Sequence, residues 1–148
     1  MEEIEAKELA ISIARIAKEN KAQKIIVLDL RRLSAFSDFF VIISGTSGRH
    51  IAGLADTIEE GLNKEKINSL FRGSSSKNPE SGWIVLDYAS VVVHIFQKPQ
   101  REFYSLEHLW QEAKRVKVPS GKRRNGKRQS LRGSRISNKR LSKKPKLR

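Results

Sequence analysis

The acidic residues stop at Glu112, and that boundary constrains the chain more than any other feature. Residues 1–113 hold all 16 Asp and Glu beside 14 Lys and Arg, a net charge of −2. Residues 114–148 hold 16 Lys and Arg and no acid, a net charge of +16. The overall charge of +14 therefore belongs to a tail, and a uniformly basic folded domain is ruled out. The tail has no aromatic residue and few apolar ones, among them Val116, Val118, Leu131, Ile136 and Leu141. Such a segment cannot bury enough apolar surface to offset its chain entropy. We expect residues 114–148 to be disordered in isolation and residues 1–113 to form one domain, long enough to enclose a core.

Several classes fall away. There is no apolar run of the length a transmembrane helix needs, so no membrane partner is expected. The start, Met1-Glu2-Glu3-Ile4-Glu5, is acidic and unlike a signal or transit peptide, which suggests the cytoplasm. Zero Cys excludes disulfides, thiolate nucleophiles and Cys-based zinc sites.

Apolar spacing then lays out the elements. Leu9, Ile13, Ile16 and Ala17 form one stripe, which predicts a helix over 2–19 that stops at Asn20-Lys21. Residues 25–30 and 39–44 are β-branched or aromatic runs that read as buried strands. The turn Gly45-Thr46-Ser47-Gly48 offers a hydroxyl as N-cap to a helix carrying Ile51, Leu54, Ala55, Ile58 and Leu62. A short strand over 67–71, a polar loop over 73–82 and strands at 83–87 and 90–96 follow, and Pro99 breaks the run. Leu106, Leu109, Trp110 and Ala113 mark a last helix. The order α-β-β-α-β-β-β-α implies an α/β fold with a mixed β-sheet and flanking helices.

The last two strands are separated by Tyr88-Ala89, a hairpin that would place Trp83 opposite His94. Alternation puts Ile84, Leu86, Val91, Val93 and Ile95 on one face, which is a core face. The other carries Trp83, Val85, Asp87, Ser90, Val92, His94 and Phe96. That mixture suits a protein-binding surface, with aromatic anchors and a few orienting polar groups. A covering helix would instead make Trp83 and Phe96 core residues. A buried Asp87 or His94 would need partners, which favours the accessible reading.

Catalytic and metal sites find little support. His50, His94 and His108 have neither metal-ligand spacing nor accompanying Cys or carboxylates. Ser44-Gly45-Thr46-Ser47-Gly48-Arg49 leads from a strand into a helix but matches no phosphate-loop pattern, and a capping turn explains it. A nucleotidyltransferase would need neighbouring strand carboxylates for its metal ions, and no Asp-x-Asp occurs. Asp29, Asp38 and Asp87 stand singly at strand ends, where such residues cap turns. No cofactor, metal or catalytic residue is expected.

Several blocks together resemble the ribosome silencing factor (Iojap) family. They are Asp38-Phe39-Phe40-Val41-Ile42-Ile43-Ser44-Gly45-Thr46-Ser47 with Arg49-His50, Trp83-Ile84-Val85-Leu86-Asp87-Tyr88, Val92-Val93-His94-Ile95-Phe96, and Arg101-Glu102-Phe103-Tyr104 with Leu106-Glu107-His108-Leu109-Trp110. The resemblance covers about residues 5–113. It implies a nucleotidyltransferase-like fold without catalysis, binding to the large ribosomal subunit through its fourteenth ribosomal protein, a block on subunit joining, and dimers when free. The chain departs from the family pattern at Ala89-Ser90, where Gly-Asp is usual, and at Arg72-Gly73, where Glu-Gly is usual.

These readings make Trp83, Asp87, Tyr88, His94, Phe96, Tyr104 and Leu106 the candidate protein-binding residues. Tyr88, Tyr104 and Leu106 rest on the resemblance. Lys122, Arg123, Arg124, Lys127 and Arg128 are candidates for contacts with ribosomal RNA phosphates, since a cationic segment without aromatics can follow phosphate charge but cannot stack on bases. The rivals are a tail-driven RNA-binding protein and a nucleotidyltransferase-related enzyme.

Overall fold

The two apolar runs before residue 46 become adjacent strands, and the other elements are arranged around them. The computed structural model describes residues 5–74 and 81–119. Their order is α1 (Ala6–Glu19), β1 (Gln23–Asp29), β2 (Phe39–Gly45), α2 (Gly48–Asn63), β3 (Phe71–Ser74), β4 (Trp83–Asp87), β5 (Val91–Gln97), α3 (Lys98–Tyr104), α4 (Leu106–Leu109) and β6 (Lys114–Val116). These strands form one mixed sheet, ordered β3-β4-β5-β2-β1-β6. β2 and β5 run parallel and the other neighbours antiparallel.

One face of the sheet is closed by α1 and α2. Ala10, Ile13, Ala14 and Ala17 meet Ile51, Leu54, Ile58 and Leu62 over Val41, Ile43, Leu86, Val91, Val93 and Ile95. The alanines lie on the buried side of α1 and are fully covered. Each large aliphatic side chain buried here stabilises the fold by roughly 1.5–3 kcal/mol. The predicted N-cap is in place, with Ser47 Oγ accepting from the His50 backbone N–H at 3.0 Å.

The helix stops are specific. α1 ends at Asn20, and Lys21 follows with φ 69°. The Lys21 N–H reaches the Lys18 carbonyl, and the Ala22 N–H reaches the Ala17 carbonyl. This is the Schellman arrangement, made without glycine. After α2 the same pattern recurs at Lys66, with φ 65°, and the Ile67 N–H returns to the Leu62 carbonyl. Ile67 thereby closes a helix, so the strand expected over 67–71 begins only at Phe71.

Four further differences have local causes. Helix α1 begins at Ala6 behind an extended Glu5, while Glu2 and Glu3 lie outside the described residues. The turn of the β4–β5 hairpin is Ala89-Ser90, one residue later than expected, with the Tyr88 N–H bonded to the Val91 carbonyl at 2.9 Å. Trp83 therefore pairs with Phe96 rather than His94. The register moves by two residues, so the strand side chains keep their predicted faces, while Ser90 passes from the strand into the turn. Pro99 ends the strand but also opens α3 from its first turn, where a missing N–H costs nothing, and only a four-residue α4 follows.

The fourth difference is the domain boundary. Lys114–Val116 pair with β1 as β6, and Val116 and Val118 pack against the core. The folded unit thus runs to Val118 rather than 113. The expected disorder of the tail beyond residue 119 lies outside the described residues.

Candidate functional site: the aromatic face of the sheet

The face opposite α1 and α2 is built from alternate residues of the same strands. Cross-strand pairing aligns Trp83 with Phe96 and Ser44, then Val85 with His94 and Ile42, then Asp87 with Val92 and Phe40. At the edge, Phe71 of β3 lies beside Asp87 and Gly73 beside Val85. The Phe71 ring folds over Gly73, where a Cβ would stand 2.5 Å from the ring, so any larger residue would push this exposed ring aside.

Aromatic rings run across this face in sequence. Tyr104 of α3 lies 4.5 Å from the Trp83 ring, Trp83 stacks on Phe96 at 4.9 Å, and Phe103 meets Tyr104 edge-on at 5.0 Å. Further in, His94 lies 4.5 Å from Phe40, which in turn contacts Trp110 at 5.8 Å. The Trp83 indole N–H donates to His94 Nδ1 at 3.2 Å. Because an indole nitrogen only donates, His94 Nδ1 must be the accepting nitrogen and the ring proton sits on Nε2. That Nε2 is buried and has no acceptor among the described residues. Burial pushes the His94 pKa down to about 4, so the ring is neutral near pH 7.

Half of the face is covered. Leu106, Trp110 and Ala113 pack over Leu28, Leu30, Ile42, Phe40 and Phe96. The other half, toward β3 and β4, stays open among the described residues. Val85, Asp87 and Val92 are half-buried there, and Phe71 is 58 % exposed. Trp83 and Tyr104 stand where the two halves meet.

The sequence-derived candidates are divided by this geometry. Trp83, Tyr104 and Leu106 come together at the boundary, and Asp87 lies on the open half. Asp87 Oδ1 also caps the hairpin turn by accepting from the Ala89 N–H at 2.7 Å. Phe96 is fully buried and His94 nearly so, and both form the floor under Trp83. Tyr88 is buried on the opposite face among the aliphatic core, so its side chain cannot belong to this surface. Its burial, with Glu59 nearby, pushes the phenol up to about 12. Lys122, Arg123, Arg124, Lys127 and Arg128 lie outside the described residues.

Sequence reasoning missed Phe71, because the edge strand was expected earlier, and Phe103, which is 80 % exposed on a helix it did not anticipate. The capping reading of Asp29 holds. Its carboxylate takes the Arg31 backbone N–H and side chain, whose hydrogen bonds keep the carboxyl below its ordinary value. Among the described residues no group of three His, Cys, Asp or Glu could hold a metal ion. No helix among them is long and apolar enough to cross a membrane.

Comparison with known proteins supplies the context for this face. Residues 3–143 match the family described as ribosomal silencing factor during starvation. The chain belongs to that family. The ribosomal silencing factor of Bacillus subtilis is 32 % identical over 109 residues, 70 % of this chain and 86 % of that protein. The chloroplastic protein Iojap of Zea mays is 32 % identical over 118 residues, 80 % of this chain but only half of that longer protein. A crystal structure of a Chromobacterium violaceum protein shares the fold at a TM-score of 0.67, with 24 % identity, over 80 % of this chain and 95 % of that one.

Within this silencing-factor domain both departures from the family pattern have a visible setting. Ala89 occupies the left-handed region at φ 70°, a conformation that suits glycine better than alanine. Arg72 bridges Asp56 at 2.8 Å and Glu59 at 2.9 Å, tying the edge strand β3 to α2.

Proposed function

We propose that this chain silences translation by docking on the large ribosomal subunit and blocking its union with the small subunit. The docking surface is the open half of the aromatic face. Trp83 and Tyr104 are its anchors, Leu106 supports them, and Phe71, Val85, Val92 and Asp87 extend it toward the sheet edge. The partner is the fourteenth large-subunit ribosomal protein. The observation that carries this reading is the Trp83–Tyr104 pair, left at the boundary of a half-covered face in a chain of the silencing-factor family. Aromatic side chains on a rigid, partly desolvated base are the usual energetic centres of protein interfaces. His94 and Phe96 supply that base, and the protein acts by binding rather than by catalysis.

The basic segment adds a second, less specific contact. Lys122, Arg123, Arg124, Lys127 and Arg128 engage ribosomal RNA phosphates around the docking site, raising on-rate and affinity without choosing a sequence. With about eight phosphates engaged, log affinity falls against log salt with a slope of roughly −6 to −7.

Sedimentation with separated ribosomal subunits tests the reading. The protein should travel with large subunits and reduce their joining to small ones. Equal binding to both subunits with no effect on joining would refute it.

A further inference from the structure

β2 and β5 are the parallel pair at the centre of the sheet, and their chains leave in opposite directions. β2 leads into α2, which packs on the aliphatic face. β5 leads into α3, whose Arg101 and Tyr104 lie on the aromatic face. Such a divergence opens a crevice at the carboxyl ends of the strands, the place where open α/β sheets take ligands.

A cleft of about 390 Å³ lies there, lined by Gln23, Lys24, Ser44, Lys98, Arg101 and Glu107 among others. The volume is within the range of small-molecule sites. Its chemistry is set by Arg101, a guanidinium only 6 % exposed. Arg101 donates from Nη1 to Ser44 Oγ at 2.8 Å and from Nε to Glu107 Oε2 at 3.0 Å. Nη2 is buried and lies 2.9 Å from that same Oε2 as an ion pair, but among the described residues its N–H groups have no acceptor in hydrogen-bonding alignment. One carboxylate oxygen therefore serves two nitrogens, and a planar fork suited to two oxygens is left half used. Lys24 and Lys98 add two cations to the lining, Glu102 stands 3.7 Å from the Lys98 ammonium, and His108 contributes an imidazole.

We propose that this cleft binds a compact anion, the phosphate or carboxylate group of a small molecule, held by Arg101 with Lys98 and Ser44. Arg101, Lys24 and Lys98 are the cationic donors of the lining, so the ligand is read through its charged oxygens. The proposal does not rest on the ribosomal docking surface, and its test reads the cleft directly.

The test is an amide chemical-shift titration of the full ¹⁵N-labelled chain with pyrophosphate, and separately with succinate. At least one arm should give saturable shifts at Ser44, Arg101, Ser105 and His108, and the arm that saturates identifies phosphate or carboxylate as the ligand group. Arg101→Lys should weaken that binding at least tenfold, and Lys98→Gln and Ser44→Ala severalfold. The latter two decide the matter if Arg101→Lys does not fold. Shifts at residues 120–148 report anions gathered by the basic segment and should be the same in all variants. Shifts confined to that segment, or affinities unchanged by both Lys98→Gln and Ser44→Ala, would overturn the proposal.

Discussion

The two faces of one sheet are made by the same strands and differ in almost every other respect. The face under α1 and α2 is mostly aliphatic and covered by both helices, with the buried Tyr88 hydroxyl as a polar exception. The opposite face is aromatic, half covered, and carries an imidazole–indole hydrogen bond whose imidazole has a second nitrogen without an acceptor among the described residues. Alternation along β4 and β5 supplies both, so a single hairpin contributes to folding with one set of side chains and to recognition with the other. The comparison teaches that stability and binding should respond to different substitutions on neighbouring residues.

The largest contrast should come from truncation. Ile58→Ala, deep in the aliphatic core, should lower stability by about 2–5 kcal/mol in denaturant unfolding. Tyr104→Ala, on the aromatic face with 41 % of the residue exposed, should cost less than about 1 kcal/mol. Similar losses for the two would erase the distinction.

The next effect is acid sensitivity confined to the aromatic face. In the unfolded chain His94 takes a proton near pH 6.5, but in the folded chain only near 4. Its contribution to stability is fully present above about pH 6.5 and is lost as the pH falls from there toward 4, reaching about 3 kcal/mol. Stability curves of the native chain and His94→Gln should diverge in that window. Parallel curves would show that the imidazole is not desolvated.

Much of this architecture is legible in the sequence, and what is not has identifiable causes. Facial parity survived a hairpin turn misplaced by one residue, because moving a two-residue turn by one shifts the pairing by two. The N-cap at Ser47 and the apolar stripe of α2 were readable because their signals are local. Ile67 misled because an apolar residue that closes a helix has the same appearance as one that begins a strand. α3 was hidden by Pro99, which can end one element and open the next. β6 was hidden by charge. Lys114 and Arg115 suit a solvated tail, yet an edge strand needs only its backbone and one inward residue, here Val116. Which half of the aromatic face is covered depended on Leu106 and Trp110 arriving from a distant segment, and no periodicity within the hairpin contains that information.

A smaller effect sharpens the account of the hairpin that joins the two faces. Ala89→Gly should relieve the left-handed backbone at φ 70°. We expect stability to rise by about 0.5–1 kcal/mol, the left-handed penalty less the added freedom of the unfolded chain. A drop in melting temperature would mean that the turn is not strained.

The most direct test of the central claim is the affinity of the full chain for isolated large ribosomal subunits, compared between Tyr104→Ala and Phe36→Ala. Phe36 is a matched control, an aromatic residue 92 % exposed in the β1–β2 connection, off the sheet. The account predicts that Tyr104→Ala loses more than about 1 kcal/mol of binding while Phe36→Ala binds as the native chain does. Equal affinities for all three proteins, or a loss confined to Phe36→Ala, would contradict it.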